Sequence, residues 1–259
     1  LPQCLIIGVR KGGTRALLDA LALHPNIRVV RRELHFFSNN ETYLNGLEWY
    51  RQQMPYIDNN LQITIEKTPA YFTNELAAER VYHMNSSIKL IIILRDPVIR
   101  TISDFTQVLY TKFERNKSQP IFEAEAFLAD GTTINIAYKP IRNSLYSLHM
   151  KQWLKHFPLK NFLILNGDRF IIDPSFQIKK VERFLKLSQS IEPSQILFNK
   201  KKGFFCFRQK NRHKPRCLGE TKGRAHANIS METKLKLRRA FLSYNLEFFK
   251  MVNHWWNWN

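Results

Sequence analysis

Cysteine is scarce, with three in 259 residues. Cys4 sits inside an apolar run and reads as a buried thiol. Cys206 and Cys217 flank a short polar, basic segment, which suits a local disulfide. A zinc site needs more ligands than these, and His213 alone is a poor third. Acidic residues are also few: 21 against 40 lysines and arginines, a net charge of +19. An excess of that size concentrates polyanions, and nucleic acid, anionic membrane and sulfated glycan all fit it. No helix-turn-helix, zinc-finger or RRM signature supports nucleic acid, which is not expected as a partner. No run approaches the ~18 consecutive apolar residues of a spanning helix. No signal peptide is visible, and Leu1 opens almost directly on a core strand, so the chain reads as a trimmed domain. A Gly/Ser linker, an internal repeat and low-complexity sequence are all missing, and residues 1–259 read as one domain.

What is present is a series of short β-rich apolar runs: Cys4 to Val9, Ile63 to Ile65, Leu90 to Leu94 and Phe162 to Leu165. Between them lie helical patterns, at Ala16 to Leu23, Asn74 to Met84, Val98 to Tyr110, Ser144 to Phe157 and Ser175 to Leu187. Near-continuous apolar strands alternating with helices predict an α/β fold with a central parallel sheet covered on both faces. Asp173-Pro174 supplies a capping residue and a first-turn proline for the last of these helices. After Lys200 a basic segment runs to His226. A closing helix is expected over roughly Ser230 to Val252, and the aromatic end His254-Trp255-Trp256-Asn257-Trp258 reads as packing. Asn-x-Ser/Thr sequons at Asn40, Asn85, Asn116 and Asn228, with the candidate disulfide, tilt the compartment toward the secretory pathway.

Chemistry-bearing residues follow the strands. The first strand runs into Gly8-Val9-Arg10-Lys11-Gly12-Gly13-Thr14-Arg15, a glycine-rich turn before a helix, the form that offers backbone N–H groups to an anion. It is not a Walker A loop, which ends in Gly-Lys-Ser/Thr; here the lysine comes first. Then come Glu33-Leu34-His35-Phe36-Phe37-Ser38, Glu66-Lys67-Thr68-Pro69-Ala70-Tyr71 and Arg95-Asp96-Pro97 with Ser103 eight residues on. Gly203-Phe204-Phe205-Cys206 and Lys222-Gly223-Arg224-Ala225-His226 close the series. Read locally, Glu33 beside Arg31 and Arg32 suits a surface ion pair. Thr68 before Pro69 suits a cap, and Asp96-Pro97 is an ordinary helix start.

These motifs together resemble the heparan sulfate glucosamine 3-O-sulfotransferases, nearest types 1 and 5, through most of the chain. The resemblance implies a P-loop NTPase-like sheet and transfer of a sulfuryl group from 3′-phosphoadenosine 5′-phosphosulfate (PAPS) to the 3-hydroxyl of glucosamine units in heparan sulfate or heparin. No metal is needed in that reading. It implies that Glu33 is the general base, that Lys11 stabilises the leaving phosphate, and that His35 and Lys67 support the geometry. The donor would meet Lys11, Gly12, Gly13, Thr14 and Arg15, with Arg95 and Ser103 on its 3′-phosphate. Phe205 and the segment Lys222, Gly223, Arg224, Ala225 and His226 would close over it. The acceptor would meet Glu33, Leu34, His35, Phe36, Phe37, Ser38, Lys67, Thr68, Pro69, Ala70 and Gln107. Two departures stand out: Ser38 where the family commonly has an acid, and Phe205 where it often has tyrosine. The family also implies a monomer in the Golgi lumen, held by a type II membrane anchor upstream of residue 1. The rival functions are a P-loop-type kinase and a non-catalytic heparin-binding module.

Overall fold

In the computed structural model, which describes residues 1–219 and 223–258, the chain divides into two compact units. The first holds residues 1–94 and 153–224, the second 95–152 and 225–259. The first unit is built on a five-stranded sheet. Its strands are β1 (Cys4–Gly8), β2 (Ile27–Val29), β3 (Ile63–Lys67), β4 (Lys89–Leu94) and β5 (Phe162–Asn166). All pairings are parallel and the order is β2-β3-β1-β4-β5. Leu5, Ile7, Leu90 and Ile92 are as buried as Cys4, Ile6, Ile91 and Ile93. Both faces are therefore covered, as the unbroken apolar runs require. On the face of Cys4, Ile6 and Ile93, the apolar stripes of helices Thr14–Leu21 and Pro174–Phe184 complete the core.

Parallel order places every strand's carboxyl end on one edge. The order reverses around β1, which sets the loop leaving β1 at the crevice where ligands of such sheets bind. The main strands and helices match the sequence pattern within a few residues, and Asp173 does cap the helix from Pro174 through the Phe176 amide (3.1 Å). Two features differ from expectation. The three-residue β2 carries too short a pattern to stand out. Residues 196–207, read only as part of a basic tract, form an antiparallel pair, β6 (Ile196–Asn199) and β7 (Phe204–Phe207). The basic side chains there lie on the turn and hide an apolar ladder. Cys206 on β7 is joined to Cys217, whereas Cys4 is a buried thiol whose ionisation burial strongly disfavours.

The second unit is helical. Helix Pro97–Glu114 begins as its sequence predicts, with Asp96 accepting from the Val98 and Ile99 amides and proline in the first turn. It shares a core with residues of Phe122–Ala126, Lys139–Arg142 and Met231–Val252, among them Val98, Ile102, Phe105, Ile141, Leu237 and Phe241. In the aromatic end, Trp256 and Trp258 are buried and stacked at 5.1 Å, whereas His254, Trp255 and Asn257 are exposed. Among the described residues no helix is long and apolar enough to cross a membrane.

Candidate active site

Three loops leave the carboxyl edge of the first unit's sheet from the adjacent strands β1, β3 and β2. After β1 the chain folds tightly, with the Val9 amide donating to the Ile93 carbonyl (3.1 Å) and Gly12 to Val9 (2.9 Å). A Cβ at Gly12 would lie 2.3 Å from the Ile93 carbonyl oxygen, so the close approach requires glycine. Gly13 has φ +107 and Lys11 φ 69, both left-handed. The helix that follows has no side chain capping its N-terminus and no acid in its first turn. Its first N–H groups and positive dipole end suit an anion. Lys11, Gly12, Gly13 and Thr14 thus make a tight turn that leads into an uncapped helix start. In the first turn of that helix the Arg15 guanidinium donates to Asp19 (3.1 Å) and to the Arg31 carbonyl (2.8 Å).

The loop after β2 carries the predicted base. Glu33 does not pair with its neighbouring arginines, which corrects the local reading. Arg31 donates to Asp19 (2.9 Å) and Arg32 to Gln53. The Glu33 partner is Lys67, whose Nζ donates to Oε1, while His35 Nε2 stands 3.6 Å from Oε2. Lys67 is almost wholly buried and Glu33 is 41% exposed, so the carboxylate faces outward from a buried cation. His35 takes φ 53 and its Nδ1 lies 3.4 Å from Ser38 Oγ. Ser38, the departure from the family pattern, thus contacts the histidine beside Glu33.

Beneath these groups the motif is packing. Phe36 stacks on Tyr50 at 4.5 Å, and Phe37 meets Tyr50 and Tyr71 edge-on. Leu34, Phe36, Phe37, Thr68 and Pro69 are buried. Of the acceptor-contact residues expected in the first unit, Glu33, His35, Ser38 and Ala70 are at least partly exposed, and the buried Lys67 lines the same cavity as Glu33. Thr68 caps no helix. Its hydroxyl donates to Glu66 Oε1 (2.5 Å) and accepts from the Leu34 and His35 amides (3.2 and 3.5 Å). Glu66, fully buried, also accepts from the Tyr50 hydroxyl (3.3 Å). Burial pushes its carboxyl up to about 7, against the hydrogen bonds of Thr68, Tyr71 and Tyr50 and the charge of Lys67.

A cavity of about 240 Å³ is lined by Arg15, Asp19, Glu33, Lys67, Arg216, Cys217, Leu218 and Gly219. The disulfide holds its far wall, because Cys217 is tied to β7. Asp19, Glu66 and Arg216 were not singled out by the motifs. The signals for the two acids were a carboxylate inside an apolar helix, Leu17-Leu18-Asp19-Ala20-Leu21, and one at the end of an apolar strand. Gly223, at φ +70, lies against Phe204, where a Cβ would come within 2.7 Å of the ring. Phe205 stacks edge-on with Phe198 at 5.2 Å. Arg224 is half-buried, Ala225 and His226 are exposed in the second unit, and Lys222 lies outside the described residues.

Within the second unit, Arg95 is half-buried, its carbonyl accepting from the Tyr146 hydroxyl (2.9 Å), and Ser103 is buried two turns into the following helix. Gln107, one turn further, lies 3.4 Å from Thr111 Oγ1 through its amide nitrogen. The four sequon asparagines are exposed.

Against known proteins, a family model described as "Sulfotransferase domain" matches residues 1–244, through both units. Heparan sulfate glucosamine 3-O-sulfotransferase 5 of Mus musculus is 46% identical over 258 residues, covering 100% of this chain and 74% of the relative. Heparan sulfate glucosamine 3-O-sulfotransferase 3B1 of Homo sapiens is 41% identical over 261 residues, covering 100% and 65%. A crystal structure of a sulfotransferase from Alicyclobacillus acidocaldarius superposes with a TM-score of 0.72 at 17% identity, over 100% of this chain and 98% of that one. At that identity the likeness speaks for the fold.

Proposed function

The chain belongs to the sulfotransferase family, and from that premise we propose that residues 1–259 act as one catalytic domain. It moves a sulfuryl group from PAPS to the 3-hydroxyl of glucosamine units in heparan sulfate. The observation that carries the reading is the Glu33–Lys67 pair, with His35 beside it, opening on the cavity that Arg15 also lines. A sugar hydroxyl is a weak nucleophile, and a half-exposed carboxylate held by a buried cation can accept its proton as it attacks sulfur. The bridging oxygen of the donor gains charge as the S–O bond breaks. The Lys11 ammonium, next to an uncapped helix end, stabilises that charge more in the transition state than before it.

The residues present fit the donor's 5′-phosphate, because Gly13 in a left-handed conformation leads into a helix terminus with no side-chain cap and no acid in its first turn. Gly12, Gly13 and Thr14 hold it, with Arg15 acting from its ion pair with Asp19. We assign Arg95 and Ser103 to the 3′-phosphate, and Phe205, Lys222, Gly223, Arg224, Ala225 and His226 to the segment that encloses the nucleotide. Gln107 is assigned to the acceptor. Exposed sequons at Asn40, Asn85, Asn116 and Asn228 and the Cys206–Cys217 bond support a lumenal compartment, the Golgi for this chemistry. The deciding experiment supplies PAPS or adenosine 5′-phosphosulfate with defined heparan sulfate oligosaccharides and maps the product. The expected result is PAPS-dependent sulfation at the glucosamine 3-hydroxyl. Transfer to another position, or glycan binding without transfer, overturns the reading.

A further inference from the structure

We propose that Glu66 is a positioning residue for the base: from beneath the site it orients the Thr68 hydroxyl, which in turn holds the two backbone amides following Glu33. The inference rests on the reading of Glu33 as the base and adds a residue that acts without touching either ligand.

A threonine hydroxyl has one proton and two acceptor sites. Here the proton goes to Glu66 Oε1 at 2.5 Å, which turns both lone pairs toward Leu34 N–H at 3.2 Å and His35 N–H at 3.5 Å. His35 has φ 53, a left-handed conformation that a residue with a side chain keeps only when its surroundings impose it. That conformation begins the Phe36–Ser38 turn and brings His35 Nε2 to 3.6 Å from Glu33 Oε2. Adjacent residues of β3 point to opposite faces. One strand end thus supplies Lys67, which pairs with Glu33 directly, and Glu66, which holds the same loop from below.

Glu66 takes hydrogen bonds from two hydroxyls, those of Tyr50 and Thr68, and of these only Thr68 is in turn bonded to the loop that follows Glu33. The pocket around it is aromatic, with Tyr50, Tyr71, Phe36 and Phe37 all fully buried. An apolar side chain there would avoid the cost of burying a carboxyl group. Thr68→Val tests that link apart from the Tyr50 contact, which it leaves in place.

The test compares Glu66→Leu, Glu66→Gln and Thr68→Val with wild type and with Glu33→Gln, by single-turnover rate, affinity for adenosine 3′,5′-bisphosphate and amide exchange at Leu34 and His35. Glu66→Leu and Thr68→Val should each slow the bound-state rate by about 10- to 100-fold, the scale of a misplaced reacting group. Nucleotide affinity should stay within about twofold and the double variant should be no slower than the worse single one, because the two act in series. Glu66→Gln, whose amide oxygen still accepts from Thr68, should recover most of the rate. Exchange at the two amides should quicken in Glu66→Leu and Thr68→Val alone, whether or not transfer is detected. If Glu66→Leu does not fold, Thr68→Val carries the same comparison. Wild-type rates and unchanged exchange in the folded variants, or losses that simply add, overturn the proposal. A Glu33→Gln protein with full activity overturns instead the base assignment on which it rests.

Discussion

At the scale of single residues, the Glu33 surroundings decide what it can do. Its partner is a lysine 34 positions away, and its carboxylate stays accessible while that lysine is buried. Glu33→Gln keeps the size and a hydrogen-bonding oxygen and removes the proton acceptor together with the negative charge. It should lower single-turnover rate on the order of 10²–10⁴-fold with both ligand affinities kept. Because Lys67 loses its counter-charge, the variant should also melt earlier, by about 1–3 kcal/mol for a half-exposed pair. A glutamine enzyme that transfers at wild-type rate removes Glu33 from the chemistry. Arg95 answers to a different measurement. Arg95→Ala should weaken binding of adenosine 3′,5′-bisphosphate by ~1.5–3 kcal/mol, the scale of a charge-assisted hydrogen bond, and leave the 3′-dephospho analogue unaffected. Calorimetry with both nucleotides separates the outcomes, and equal losses place Arg95 elsewhere.

At the scale of elements, the β6–β7 pair and its disulfide act as a staple for one wall of the cavity. The bond closes a separation of 11 residues and ties Cys217, with Leu218 and Gly219 after it, to a strand that packs on the main core. A loop of that length gains roughly 2–3 kcal/mol in the chain-entropy model. Cys206→Ser with Cys217→Ser should lower the thermal midpoint accordingly and raise the KM for glycan more than it lowers kcat, since the wall rather than the base is loosened. Equal melting with and without reductant, and an unchanged KM, would remove the staple from the account. The glycine-rich turn works by the opposite means: Gly12 makes room for the Ile93 carbonyl instead of being held by a bond.

At the scale of the whole molecule, stability should carry the mark of one buried acid. Glu66 titrates at about 7 in the folded protein against 4.5 for an ordinary glutamate. Between those values the folded state keeps a proton that the unfolded chain has lost. Stability therefore falls as pH rises through that window, is greatest in this respect below 4.5, and levels off above 7. The fall is on the order of 3 kcal/mol, from 1.36 kcal/mol per pKa unit. Glu66→Gln should flatten that slope and gain on wild type toward neutral pH, as read by denaturant midpoints from pH ~4 to ~8. Parallel pH profiles for the two proteins would show that the acid is solvated rather than buried.

Periodicity and loop chemistry are local, and what depends on them was legible in the chain itself. Near-continuous apolar runs at Cys4, Leu90 and Phe162 required a sheet covered on both faces. Asp96-Pro97 and Asp173-Pro174 announced helix starts. Lys11-Gly12-Gly13 announced a tight turn into a helix, and two cysteines around a basic segment announced a disulfide. What remained was non-local. The strand order β2-β3-β1-β4-β5 puts β3 beside both β1 and β2, and only that adjacency brings Lys67 to Glu33 in place of Arg31 and Arg32. Three residues of β2, and a ladder hidden under lysines at β6 and β7, become strands because neighbouring backbone pairs with them, a condition no short window of sequence contains. The same packing buries Glu66 and Thr68 under Glu33. A residue's type follows from the gene alone, but its dielectric surroundings and its partners follow from which elements the tertiary structure sets side by side.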